Sequence, residues 1–172
     1  MASGKSTIAQ ALAERFERSV HVRGDQFRRA IVRGRHDMSP NPGPEALEQL
    51  RLRYRLAADV ADRYVEAGFT TVMQDIMLGP MLAEALAYFR TRPLALIVLA
   101  PSPGEVARRE AGRPKTGYGY FTPNDLDAVL RDDTPRLGLW LDSTELTPAQ
   151  TVDAILERSS EAIVEPTQPS EA

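Results

Sequence analysis

The run Ala2-Ser3-Gly4-Lys5-Ser6-Thr7 stands directly ahead of an amphipathic stretch, Ile8 to Phe16. Glycine, lysine and two hydroxyls in this order match the second half of G-x-x-x-x-G-K-[ST], a loop whose backbone N–H groups and following helix N-terminus cradle polyphosphate. In that chemistry Lys5 reaches the outer phosphates and Ser6 ligates magnesium through its hydroxyl. The amides of Gly4 to Thr7 form the anion nest, with Ser3 beside them. A serine-threonine pair after glycine also makes an ordinary helix cap, the plainer alternative. The first glycine of the loop, and the apolar strand expected to feed it, would fall before Met1.

Two carboxylates follow apolar runs. Val20-His21-Val22-Arg23-Gly24-Asp25 places Asp25 at a strand end, twenty positions after Lys5. A carboxylate there can take the proton of a hydroxyl attacking a phosphate, or can simply cap the helix that begins near Gln26. Thr70-Thr71-Val72-Met73-Gln74-Asp75 places a second acid after another strand, suited to holding magnesium through water, orienting a substrate or closing a plain turn. Further on, Arg109 and Arg113 lie four apart in EVARREAGR and could clamp a transferring phosphate from one helix face. The GRPKTGYGYF continuation has the composition of a lid that excludes water on closing.

The elements that must position these groups alternate short apolar runs with helical patterns, the layout of a parallel sheet flanked by helices. Strands are expected at Ser19 to Arg23, Thr70 to Gln74, Leu94 to Ala100 and Leu139 to Leu141. Helices are expected at Lys5 to Phe16, Gln26 to Val32, Glu45 to Ala67, Pro80 to Phe89, Pro103 to Glu110, Pro123 to Arg131 and Pro148 to Ser159. On the long helix Leu52, Leu56 and Val60 read as a core stripe, and Arg51, Arg53 and Arg55 as a solvated face. In such folds ligands sit at the carboxyl ends of the strands, where Asp25 and Asp75 fall. Residues 1–165 read as one domain and 166–172 as a frayed polar tail.

Composition bounds the rest. At 172 residues, 42% hydrophobic and 26% charged, the chain has the makeup of one soluble domain. With no cysteine, thiol chemistry and thiolate metal sites are excluded, and the absence of a signal-peptide pattern points to the cytoplasm. The longest apolar run, Leu94 to Ala100, is too short to span a bilayer, so no membrane partner is expected. A net charge of -3 speaks against a general nucleic-acid partner. Lys5 and Lys115 are the only lysines, and ten arginines crowd between Arg15 and Arg55, a hint of an anionic or polar ligand. His21 and His36 have no partner at metal spacing.

The order GKST, GDQFR, QDIMLG and EVARREAGR resembles the small P-loop kinases of the chloramphenicol phosphotransferase-like and zeta toxin-like group, over roughly Ala2 to Leu156. The resemblance implies an α/β fold of P-loop NTPase type, a parallel sheet flanked by helices with a small lid, its first strand missing from this chain. It also implies ATP with Mg2+ as cofactors and transfer of the γ-phosphoryl group to a hydroxyl of a small molecule. Carried over by position, Asp25, Lys5 and Arg109 are catalytic, and Ser3, Gly4, Lys5, Ser6, Thr7, Arg109 and Arg113 hold the nucleotide. Asp25, Arg28 and Asp75 face the acceptor, with Ser6 and Asp75 at the metal. Asp75 occupies the place of an acidic pair in that group, with Gln74 where one acid would stand. A catalytically impaired nucleotide-binding module and a kinase acting on nucleic-acid ends are the alternatives. Oligomeric state is not legible.

Overall fold

The computed structural model describes residues 2–112 and 120–165. Helix α1 (Lys5–Ala13) begins behind Gly4, whose φ of 88° lies in the left-handed region that a side chain disfavours. Strand β1 (Ser19–Arg23) runs into α2 (Asp25–Arg29) with only Gly24 between them. A proline-rich loop leads to α3 (Pro44–Glu66), the 23-residue helix that returns the chain to β2 (Thr70–Gln74). Then come α4 (Met81–Leu86), β3 (Leu94–Ala95), β4 (Ile97–Leu99) and α5 (Pro103–Ala111). Helix α6 (Pro123–Ala128) loosens into a π-helical turn over Val129–Asp133 before β5 (Leu139–Leu141), α7 (Pro148–Glu157) and β6 (Ile163–Val164). Proline in the first turn costs no hydrogen bond, and α5, α6 and α7 all pair it with a Ser or Thr cap at Ser102, Thr122 and Thr147.

β1 and β2 pair in parallel, Ser19 opposite Thr70 and Arg23 opposite Gln74, and β4 pairs in parallel with β5. Parallel partners need long crossovers, which α2 with α3 and α5 with α6 provide. This is the expected α/β arrangement. β2 and β4 both line a largely apolar cavity of about 650 Å³, shared with Ile8 and Leu12 of α1. The main core packs Ile8 and Leu12 against Leu141, Val152 and Ile155, and a smaller one joins Leu82, Leu86 and Val164.

Two expectations are corrected. The strand expected over Leu94 to Ala100 is divided at Leu96, whose N–H donates to Ala162 while its carbonyl accepts from Leu139 N–H. One residue thus hands the chain from antiparallel pairing with β6 to parallel pairing with β5. On α3 the buried face is Tyr54, Ala57, Ala58, Ala61 and Asp62, whereas Leu52 and Leu56 are 42% and 38% exposed. Small alanines let the helix lie close to the strands, so the bulky leucines one face away border a groove instead. The tail at 166–172 lies outside the described residues.

Candidate active site

Gly4 at the N-cap has no side chain to offer the first-turn amides of α1. Lys5 Nζ donates to Ser3 Oγ at 3.0 Å, holding the lysine back over its own loop. Ser6 and Thr7 are exposed at the start of the helix. Arg109 reaches this loop from α5, its Nη1 within 3.8 Å of where a Cβ on Gly4 would stand. Its other nitrogens are fixed: Nε donates to Glu105 at 2.6 Å and Nη2 to the Ser143 carbonyl at 2.9 Å. Arg113 lies outside the described residues, as does most of the expected lid.

The ends of β4 and β5 are tied together beside that arginine. Thr144 Oγ1 donates to Asp142 at 2.5 Å and accepts from Ser102 N–H at 2.8 Å. The Thr144 hydroxyl and its backbone N–H, which also donates to Asp142, hold that carboxyl below the usual carboxylate range. Ser143 is buried and its hydroxyl has no hydrogen-bond partner among the described residues.

Asp25 opens α2, and no side chain caps that helix, so the plain capping role is not what it does. Its carboxylate turns along the helix to Arg28 Nε at 3.0 Å and Arg29 Nε at 2.5 Å. Burial pushes the Asp25 carboxyl up, but the hydrogen bonds and charges of Arg28 and Arg29 outweigh it and hold the group below its ordinary value. Arg28 also binds Asp37 at 2.7 Å, across the loop that leads to α3.

Asp75 is more tightly held. Arg53 on α3 grips both of its oxygens, Nε to Oδ2 at 2.7 Å, with side-chain exposures of only 12% for Arg53 and 2% for Asp75. Oδ1 also accepts from Ile76 N–H at 2.7 Å. A Cβ at position 24 would lie 1.9 Å from Asp75 Oδ2, so any side chain there would force the Asp75 carboxylate to move. The chain therefore stacks the Asp75 carboxylate against the Gly24 backbone, one residue from Asp25. Ser3 and Lys5 line the central cavity together with Gln74 and Asp75.

The sequence reading missed Arg53, which it placed on a solvated face. Its partner lies 22 residues away, and no spacing rule connects a helix position to a strand end at that distance. Arg51 likewise bonds Glu84 of α4 at 2.8 Å. Beside Arg28 and Arg53 lies a small groove of about 70 Å³, walled by Phe27, Ile31, Met38, Leu50, Leu52 and Leu56. Among the described residues no cluster of three His, Cys, Asp or Glu could hold a metal alone. Among the described residues no helix is long and apolar enough to cross a membrane.

A family model described as an AAA domain matches residues 1–132. No curated protein matches the sequence. Among solved structures, the chain is similar to an unliganded sugar kinase from Janibacter sp. HTCC2649 at 19% identity and a TM-score of 0.67, covering 94% of this chain and 90% of that one. It is also similar to the tunicamycin resistance protein of Deinococcus radiodurans at 17% identity and a TM-score of 0.63, covering 95% of this chain and 93% of that one. At these identities the likeness establishes the fold.

Proposed function

The chain belongs to the AAA domain family, and from that premise we propose that it is an ATP-dependent phosphotransferase that moves the γ-phosphoryl group to a hydroxyl of a small molecule. The observation that carries this reading is that Ser3, Lys5 and Asp75 line one cavity, with Arg109 beside Gly4 and with Gly24, the residue before Asp25, against Asp75. Bound magnesium ATP supplies the transferable phosphoryl group. The chain supplies charge and position, which is most of what phosphoryl transfer needs.

In this reading the amides of Gly4 to Thr7 hold the phosphates, with Lys5 and Arg109 neutralising the charge that spreads over them. Arg113 would add to that charge. Ser6 would hold magnesium through its hydroxyl. Asp75, both of whose oxygens Arg53 occupies, would act on the metal through water. Asp25 accepts the proton of the acceptor hydroxyl, and Arg28 keeps the carboxylate ionised and aimed. Because Arg29 is 74% exposed, its hold on Asp25 Oδ2 faces solvent and yields easily to an acceptor.

A nucleotide-binding module without turnover is the second reading, favoured by Gln74 standing where the resemblance to the chloramphenicol phosphotransferase-like kinases would put an acid. The Asp25→Asn variant separates the two. The kinase reading expects unchanged affinity for nucleotide and an acceptor-dependent release of ADP lowered by about 10² to 10⁴-fold. Wild-type ADP release insensitive to that substitution contradicts the role given to Asp25, and no release at all from the wild type selects the binding module.

A further inference from the structure

The arginines around the proposed base look like an anion site in the sequence, yet the fold spends them on its own carboxylates. Arg28 bonds Asp25 and Asp37, Arg35 lies 3.5 Å from Asp37, Arg51 bonds Glu84, and Arg53 grips Asp75. An incoming anion would have to displace one of these acids and leave it uncompensated, the more costly the deeper the pair. What stays open beside Arg28, the partner of Asp25, is mostly apolar, with His36, Asp37 and Gln49 also in its lining. The groove starts at Phe27, two residues past Asp25, and is walled by Ile31, Met38 and Leu50. Leu52 and Leu56, one turn apart at its mouth, keep 42% and 38% of their surface in water. Single exposed leucines are ordinary, but two on one helix face beside a groove offer apolar area that a ligand would cover.

We propose that the acceptor is an uncharged alcohol carrying a compact apolar group next to its reactive hydroxyl, with that group seated between Phe27, Ile31 and Leu56. The inference rests on the phosphotransferase reading for its placement beside Asp25. The groove is small, about 70 Å³, which suits a short branched alkyl group. Recognition then comes from area removed from water, with Arg28 and Arg53 acting as the polar rim that excludes anions by being already satisfied.

Three vicinal diols that differ in one substituent test this: 3-methylbutane-1,2-diol, glycerol and glycerate. Binding is measured by ligand-detected nuclear magnetic resonance, and transfer is measured separately as ADP release with magnesium ATP. The branched diol should bind about tenfold more tightly than glycerol, and glycerate more weakly than either. Leu56→Glu, at an exposed position that does not endanger folding, should erase the advantage of the branched diol. Glycerate binding as well as the branched diol, no detectable binding of the branched diol, or a preference indifferent to Leu56→Glu each overturns the proposal. The predicted binding order without ADP release from any diol upholds the groove's preference and removes the transfer reading instead.

Discussion

The two ends of the candidate site are built from different materials. The loop end is backbone: a left-handed glycine, the amides of a helix start and one lysine folded back on its neighbour Ser3. The acceptor end is side chain: Asp25, Asp37, Asp75 and Glu84, each matched to arginines from α2, the following loop or α3. A backbone cradle presents partial charge without a counter-ion of its own, so it is suited to an anion. A set of internally satisfied ion pairs is rigid and oriented but offers little net charge, so it is suited to fixing a neutral molecule.

The largest expected effect comes from breaking the acceptor end at its most buried pair. Arg53→Met leaves the Asp75 carboxylate without its partner in a site where only 2% of that side chain is exposed, and denaturant unfolding should show a loss of about 3 to 5 kcal/mol. Asp75→Asn together with Arg53→Met should cost less than Arg53→Met alone, because no unpaired charge remains. A cost near zero for the single substitution would mean that the pair does not organise this end.

Glycine substitutions sharpen the same contrast. Gly24→Ala drives a Cβ to within 1.9 Å of Asp75 Oδ2 and should destabilise the fold by about 3 kcal/mol. Gly4→Ala meets nothing nearer than 3.8 Å, so only the left-handed conformation opposes it, at about 1 to 2 kcal/mol. Thermal unfolding of the two variants should therefore rank them in that order, and the reverse ranking would say the loop, not the acceptor corner, is the crowded end.

The same division explains what could be read from the sequence. The loop was legible because all of its determinants lie within four consecutive residues, Gly4 to Thr7. Strand ends carrying Asp25 and Asp75 were legible because apolar runs stop there, and β1, β2 and β5 fall where expected. The partners of those acids were not, since Arg53 meets Asp75 only after a 23-residue helix and a turn have folded back. The face of α3 was misread for a related reason. Leucines outweigh alanines in any hydrophobic pattern, yet close packing against β2 selects the small residues Ala57, Ala58 and Ala61. The short β6, two residues long, carries too little pattern to notice.

The central claim is that Gly4 to Thr7 seat a nucleotide. Calorimetric titration of the chain with a non-hydrolysable ATP analogue and magnesium, beside its Lys5→Ala variant, tests that claim most directly. The account predicts one binding event that requires magnesium and is weakened at least about tenfold by Lys5→Ala, the worth of a charge-assisted hydrogen bond. Absence of binding, or binding of equal strength in the variant, would contradict it.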